Sequence, residues 1–271
     1  MKKILLLLTA TILIACKKDK TEAIPAYLKI DAITLNEGSS TDNITDAWVY
    51  INEQLQGVYE LPAEFPVLES ERKHIRIKAG IKINGIASSR IAYPFYKSFI
   101  DSATFTPSKT TTIHPTVSYT DSAKFFVEDF EGVGLDISNS TNSDTVLIKL
   151  TDSLGNKYAA GILNDSLITF EIATKELFNL PQAGAPVFLE LDYKNTTSFL
   201  VGVYVNYPES VVQKDLLWVN PKQDWNKIYV NLTSIISQGI NASSFKVFIG
   251  MRRDFSESQN EIYFDNLKVV Y

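Results

Sequence analysis

Carboxylates supply most of the chemistry that this chain could perform, and two of them stand out by their spacing. Glu190 and Asp192 lie two residues apart in the stretch from Val187 to Tyr193, whose pattern predicts a β-strand. Side chains two apart on a strand face the same side, about 6.5 Å from each other. Hydrolysis of a glycosidic bond needs two carboxylates across a cleft, about 5–9 Å apart. A side-by-side pair instead favours hydrogen bonding on a strand face, for which sugar hydroxyls are suitable partners.

Aromatic side chains could complete a sugar site, because the C–H faces of sugars stack on aromatic rings. In the stretch from Phe199 to Tyr207, every second residue starting with Phe199 is apolar or aromatic. This set is expected to face the core of the domain. Tyr204 and Asn206 would then point outward, beside Trp218 or Trp225. Packing into the core is the alternative explanation of each tryptophan.

Other reactive groups are few. His74 and His114 are predicted in different strands, without metal-ligand spacing to each other or to the single cysteine, Cys16. Both histidines are expected to be surface residues. The motifs Gly-x-Ser-x-Gly and His-Glu-x-x-His do not occur, and neither does a glycine-rich phosphate loop. The residues therefore predict no catalytic site.

The first sixteen residues have the features of a secretory signal. A lysine pair precedes an apolar run from Ile4 to Ile14, and a small residue, Ala15, precedes Cys16. The run is too short to cross a bilayer, which takes about 20 residues. The stretch 13–16 resembles the lipobox of bacterial lipoproteins. This resemblance implies cleavage before Cys16 and acylation of that residue, with palmitate among the expected acyl chains.

Residues 17–24 are charged and lack apolar periodicity, which predicts a tether between the lipidated Cys16 and the folded part. The stretch 17–19, Lys-Lys-Asp, resembles the charged signals that direct Bacteroidota-type lipoproteins to the outer face of the outer membrane. We therefore expect a lipid-anchored outer-membrane protein that faces the cell exterior, with the periplasmic side as the alternative.

The chain is acidic after this signal. Residues 1–15 hold two of the 26 lysine and arginine residues and none of the 31 acids, so the chain from Cys16 has a net charge of −7. Nucleic acid is therefore not an expected partner, because it selects basic surfaces.

In the rest of the chain, apolar and polar residues mostly alternate, which predicts strands. No stretch shows apolar residues at the three-to-four-residue spacing of a helix. We predict an all-β protein with two antiparallel β-sandwiches, over residues 25–119 and 122–271. Residues 52–57 are predicted as a polar turn, and 61–66 are too proline-rich for a central strand. Residues 232–239 and 173–180 could each form a short helical turn.

Two parts of the chain resemble known modules. Residues 44–51 with 57–62 are similar to the N-terminal, immunoglobulin-like sandwich of uncharacterised Bacteroidota lipoproteins, which implies a fold and no active site. Residues 125–271 resemble the galactose-binding-like jelly rolls that include many carbohydrate-binding modules. The stretches that carry the second resemblance are 127–132, 188–194, 225–232 and 262–269. Members of that superfamily bind sugars, bind proteins or support neighbouring domains.

The jelly-roll resemblance also implies a structural calcium ion between the terminal strands, held by carboxylate and backbone oxygens. The candidate ligands are Glu128, Asp129 and Glu131 near the first strand and Asp265 near the last. The alternative is that these acids are turn and edge-strand charges. No other cofactor is expected.

Five Asp-Ser or Asp-Thr steps, each followed by an apolar residue, resemble the acceptor motif of the Bacteroidota O-glycosylation system. The residues that would carry the glycan are Ser102, Ser122, Thr145, Ser153 and Ser166. The alternative is that these steps form turns, because both side chains bond nearby backbone groups.

Together these patterns predict a non-catalytic lipoprotein whose jelly roll binds glycan or a partner protein. The expected binding residues are Glu190, Asp192, Tyr204, Asn206, Trp218 and Trp225. The N-terminal sandwich would serve as a spacer or docking module. An accessory structural subunit of an outer-membrane uptake, export or assembly complex is the alternative, and a carbohydrate-active enzyme is less favoured.

Overall fold

The computed structural model describes residues 24–36 and 41–271. These residues form 21 strands and one short helix, α1 (Thr233–Gln238), which confirms the predicted all-β class. The predicted signal peptide, Cys16 and the tether up to residue 23 lie outside the described residues. No helix in the described ranges is long and apolar enough to cross a membrane.

The first domain contains ten strands in three sheets. Their bounds are β1 (Ala26–Ile30), β2 (Thr34–Leu35), β3 (Asp46–Ile51), β4 (Gln54–Glu60), β5 (Ala63–Val67), β6 (Glu71–Lys82), β7 (Arg90–Ala92), β8 (Phe99–Phe105), β9 (Thr110–Ile113) and β10 (Thr116–Val117). One sheet has the order β4-β3-β6-β7, and β8 pairs with the earlier half of β6. A second has the order β5-β1-β9, and β10 pairs with β2.

The second domain contains the other eleven strands in two sheets. Their bounds are β11 (Phe125–Glu128), β12 (Ile137–Asn139), β13 (Ile148–Thr151), β14 (Lys157–Asn164), β15 (Thr169–Thr174), β16 (Phe188–Asn195), β17 (Phe199–Asn206), β18 (Val211–Val219), β19 (Lys222–Asn231), β20 (Ser244–Arg252) and β21 (Gln259–Val270). The front sheet has the order β13-β14-β21-β16-β19, with β11 also pairing β21. The back sheet has the order β12-β15-β20-β17-β18.

The two sheets of the second domain pack face to face over an apolar core, as in a jelly-roll sandwich. Leu189 and Leu191 of β16 point into this core from the front sheet, and Val201 and Val203 of β17 point into it from the back sheet. The alternation predicted for the stretch from Phe199 is confirmed, because its apolar set lies in the core. Alternate residues of each strand consequently face outward.

Three details differ from the sequence-based expectations. Residues 173–180 contain no helix, because β15 continues to Thr174 and Leu177 then bridges Phe245 of β20. The predicted turn over 52–57 is only two residues long: Asn52 and Glu53 both have positive φ, so they close a tight hairpin and β4 begins at once. His114 lies in the short link between β9 and β10, because Pro115 follows it.

Half of the outer face of the front sheet is covered by the first domain. Phe188, Tyr229 and Val270 point outward from three adjacent strands and join the apolar core of the first domain. The Tyr93 ring packs edge-on against Phe188 and Tyr229, at centroid distances of 5.4 and 5.0 Å. The backbone of Asn84 donates a hydrogen bond to the Tyr229 carbonyl, so main chain and side chains both join the two domains.

A charged group lies inside this domain interface. Glu190 of β16 is fully buried, and the hydroxyls of Tyr93 and Tyr119 donate hydrogen bonds of 2.7 and 2.8 Å to its two carboxylate oxygens. The Lys227 ammonium of β19 lies 3.3 Å from Glu190 and 3.6 Å from Asp192. Burial and the negative charge of Glu190 raise the pKa of Tyr93 and Tyr119, so both stay protonated as donors.

Replacing Lys227 by methionine should destabilise the protein strongly. The change keeps the aliphatic stem but leaves Glu190 and Asp192 without their shared cation, and breaking a buried ion pair in this way costs about 3–5 kcal/mol. We expect a loss of that size in the free energy of unfolding, measured by urea denaturation. Lys222→Met, on the exposed end of the same strand, is the matched control and should cost less than about 0.5 kcal/mol. Equal stability of the two variants would contradict this role of Lys227.

Candidate ligand-binding groove

The uncovered half of the front sheet forms the floor of an open groove with a volume of about 740 Å³. We call this feature the groove. It is lined by residues from β14, β16, β19 and β21, from two loops of the second domain, and from one loop of the first domain. The lining residues are Thr41, Asp42, Asp129, Glu131, Asp152, Asn156, Tyr158, Asp192, Lys194, Trp225, Asn226, Lys227, Asp265 and Asn266.

Aromatic rings lie at the centre of the groove. Trp225 of β19 keeps 45% of its surface exposed, and its ring meets that of Tyr158 edge-on, with centroids 5.7 Å apart. The Lys194 ammonium of β16 lies 5.5 Å from the Trp225 centroid and 4.7 Å from that of Tyr263. These contacts restrain the Trp225 side chain and leave part of its surface open.

Two loops bring carboxylates to the groove. Asp129 and Glu131 flank Phe130, whose ring is fully buried and packs against Phe264 at 5.6 Å, so this anchor fixes both acids beside the groove. Asp152 stands in the turn between β13 and β14, where the side-chain amide of Asn156 donates a hydrogen bond to it. That bond holds the pKa of Asp152 below its usual range, so the carboxylate stays ionised.

The first domain supplies part of the groove wall. The Thr41 hydroxyl donates a hydrogen bond of 2.5 Å to Asp192 and lies 3.2 Å from the Lys227 ammonium. The Asn43 side chain donates to the carbonyl of Lys227 at 2.8 Å. Lys227 therefore contacts the interface through Glu190 and the groove through Asp192, so the two halves of the sheet face share one cation.

Asp265 lies in the groove, and its pKa is well above the usual value for an aspartate. Burial raises its pKa to about 6, the backbone N–H of Asn266 opposes this rise, and the nearby charges of Asp192, Glu131 and Asp129 add to it. Asp192 faces Asp265 across the pairing of β16 with β21. Burial, with the nearby negative charges in addition, thus favours a proton on Asp265 in mildly acidic solution.

The structure places the six predicted binding residues in three different environments. Asp192 and Trp225 line the groove. Glu190 shares the face of Asp192, as the alternation predicts, but it is buried under the first domain and cannot contact a ligand there. Trp218 and Asn206 belong to the back sheet, and so does Tyr204, whose hydroxyl donates to Glu171. These last four residues therefore lie outside the groove, and their part in binding stays a prediction.

The four predicted calcium ligands are also divided. Asp129, Glu131 and Asp265 line the groove. Glu128 instead turns its carboxylate to its own loop, where it accepts the backbone N–H groups of Phe130 and Asp136. The described residues contain no group of three or more histidine, cysteine or acidic side chains placed to hold a metal ion. The structural calcium ion stays a prediction.

The predicted acceptor steps for glycosylation lie on the surface, and several form turns. Ser122, Ser153 and Ser166 are exposed, whereas Ser102 and Thr145 are half-buried. Asp152 accepts the backbone N–H groups of Leu154 and Asn156, which is the turn geometry given as the alternative. Modification of the five positions stays a prediction.

Several groove residues were not predicted from the sequence, although the alternation of the strands indicates some of them. The alternation of β16 that pairs Glu190 with Asp192 continues to Lys194, and the alternation of β19 places Trp225, Lys227 and Tyr229 on one face. Thr41, Asp42 and Asp152 lie in loops far from these strands in sequence. No periodic pattern marks them, because only the folded topology brings them together.

No protein family model matches this chain, and no curated protein matches it in sequence. Solved structures that match part of this chain include the family 11 carbohydrate-binding module from Clostridium thermocellum in complex with a β-1,3-1,4-mixed-linked tetrasaccharide. It is 11% identical, with a TM-score of 0.39, and the match covers 54% of this chain and 94% of the module.

The CBM22-1 xylan-binding domain from Paenibacillus barcinonensis Xyn10C is a second such structure. It is 9% identical, with a TM-score of 0.40 over 55% of this chain and 96% of that domain. A xylan-binding domain from CBM 22 is 17% identical, with a TM-score of 0.39 over 55% of this chain and 96% of its own length. Similarity at this level assigns neither a ligand nor an activity to the groove.

Replacing Asp265 by asparagine should stabilise the protein at neutral pH. A carboxyl group whose pKa is higher in the folded state than in the unfolded state favours folding while it is protonated. That contribution is lost as the pH rises from about 4 to about 6. We therefore expect Asp265→Asn to raise the Tm at pH 7.5 and to leave it nearly unchanged at pH 4. A variant that lowers the Tm at pH 7.5 would refute the raised pKa of Asp265.

Proposed function

We propose that this protein binds a glycan in the groove without catalysing a reaction on it. The exposed face of Trp225, set among carboxylate and amide side chains, is the observation that carries this proposal. An aromatic ring next to hydrogen-bonding groups matches the two surfaces of a sugar, whose C–H faces are apolar and whose edges carry hydroxyls. The groove volume also lies within the range of ordinary ligand pockets, about 300–1,000 Å³.

The shape of the groove supports an oligosaccharide as the ligand. A smaller hollow of about 190 Å³ adjoins the groove and shares Lys194 with it. Its walls include Lys222, Glu261 and Tyr263, so polar and aromatic surface continues along the front sheet. A chain of several sugars could follow this path across the strands.

The first domain is, in this proposal, part of the binding site and more than a spacer. Thr41 and Asp42 line the groove, and the bond from Thr41 to Asp192 sets the position of a floor residue. A ligand in the groove would therefore contact both domains. The contacts of Asn43 with β19 hold the loop in place on the second domain.

We further propose that the protein is displayed on the outer face of an outer membrane through acyl chains on Cys16. The support is the sequence pattern around Cys16 and the charged stretch after it. An intact-mass measurement on membrane-extracted protein should show the loss of residues 1–15 and the added mass of acyl chains. An unmodified, uncleaved chain would exclude the anchor.

Hydrolysis of a glycan is the second candidate function, favoured by one observation. A general acid works best with a pKa near the working pH, and Asp265 has a pKa of about 6 among other carboxylates of the groove. Incubating the protein with a bound oligosaccharide and analysing the products by chromatography decides between the two functions. Shorter products that disappear in Asp265→Asn would replace the binding proposal with an enzymatic one.

Two tryptophans provide a matched test of the binding site. Trp225 and Trp218 are exposed to similar extents, 45% and 53%, but they lie on opposite sheets of the second domain. We expect Trp225→Ala to weaken glycan binding at least about tenfold, since it removes the stacking surface. Trp218→Ala should bind within about twofold of the unchanged protein, because its ring lies outside the groove.

Binding is measured by a glycan array followed by titration calorimetry with the strongest binder. An array without signal would refute glycan binding. Equal losses in the two tryptophan variants would refute the assignment to the groove.

A further inference from the structure

The groove carries an excess of negative charge. Six carboxylates line it: Asp42, Asp129, Glu131, Asp152, Asp192 and Asp265. The two lysines that line it are Lys194 and Lys227. Lys227 is held between Glu190 and Asp192, and Lys157 lies 3.9 Å from Glu131, so the acids in and around the groove still outnumber the cations. A ligand therefore meets a surface that attracts positive charge and repels negative charge.

One of these carboxylates is left incompletely bonded. Asp192 is only 7% exposed, and its Oδ2 accepts hydrogen bonds from Thr41 and Asn266. Its Oδ1 is buried, receives no hydrogen bond from the described residues and lies 3.6 Å from the Lys227 ammonium, which it shares with Glu190. On the neighbouring strand, burial raises the pKa of Asp265, and the charges of Asp192, Glu131 and Asp129 add to the rise. Added positive charge near these two acids would relieve their repulsion.

The aromatic surface of the groove already holds an ammonium group. The Lys194 ammonium lies over the rings of Tyr263 and Trp225, at 4.7 and 5.5 Å from their centroids. Ring faces carry partial negative charge and attract cations in this position. An amine on a ligand that stacks on Trp225 would share these rings with Lys194, whose charge opposes it, so its net attraction must come from the surrounding carboxylates.

We propose that the groove selects glycans whose sugars carry free, protonated amines and rejects glycans built from uronic acids. This inference rests on the proposed glycan-binding function and adds the class of ligand. The groups that would face the amine are Asp192 and Lys194 of β16, Asp265 of β21, and the loop acids Asp42, Asp129, Glu131 and Asp152. Neutral glycans would still stack on Trp225, but without the electrostatic contribution.

Three hexasaccharides of similar length test this selection: oligomers of glucosamine, of N-acetylglucosamine and of galacturonic acid. Titration calorimetry at pH 6 should give a Kd for the glucosamine oligomer about tenfold lower than for its acetylated counterpart. The galacturonic acid oligomer should show no binding. Half-molar salt should remove most of the tenfold difference, because it screens the carboxylates.

The outcomes separate the inference from the function on which it rests. If the acetylated oligomer binds as tightly as the amine, or if the galacturonic acid oligomer binds, the charge selection is wrong and glycan binding stands. If none of the three binds and the wider array is also without signal, both fail. If none of the three binds but another glycan on the array does, only the selection for amines is overturned.

Charge-removing variants provide a second measurement. Asp129→Asn combined with Asp265→Asn should reduce the ratio between the affinities for the glucosamine oligomer and for its acetylated counterpart several-fold, whatever its effect on the acetylated oligomer alone. Asp215→Asn, on exposed β18 of the back sheet, removes one charge outside the groove and is the control. Loss of the preference in the control would show that the overall charge of the protein causes it, which would overturn the inference.

Discussion

A carboxylate that leaves water must gain hydrogen bonds and a nearby cation, and the structure depends on how Glu190 meets this requirement. Glu190 is fully buried between the domains and receives two tyrosine hydroxyls from the first domain and one lysine from the second. Removing any one of these partners would leave charge or polarity uncompensated in the interface. The position of the first domain is therefore fixed by chemistry as well as by apolar packing.

The same strand that buries Glu190 also builds the groove. Outward positions of β16 run from Phe188 through Glu190 and Asp192 to Lys194, so one strand passes from apolar interface to charged groove. Lys227 stands at the boundary and contacts an acid on each side. Docking of the domains consequently sets the position of groove residues, and Thr41 of the first domain completes the arrangement.

The alternation of single strands was predictable from the sequence, whereas the location of each strand face was not. Period two correctly placed Glu190 with Asp192 on one side of β16, and the apolar set of β17 in the core. A strand pattern does not tell whether its outer face meets solvent, a groove or another domain. Tyr93 and Tyr119, whose hydroxyls donate hydrogen bonds to Glu190 in the interface, lie 97 and 71 residues away from it in sequence.

For a related reason, the sequence did not show which of the candidate residues share a surface. Tyr204 and Trp218 have the right chemistry for a sugar, but β17 and β18 belong to the back sheet. Asp129 and Asp265, selected as calcium ligands, lie in the groove beside Trp225. The residue types were informative, and the topology of the two sheets determined which of them share a surface.

A double-mutant cycle between the domains tests the central claim most directly. Tyr93→Phe, Glu190→Gln and the double variant are compared with the unchanged protein by urea denaturation. If the Tyr93 hydroxyl and the Glu190 carboxylate interact as the structure shows, the cycle should give a coupling free energy of about 1–3 kcal/mol. Effects of the two changes that add to within about 0.5 kcal/mol would contradict a buried link between the domains at Glu190.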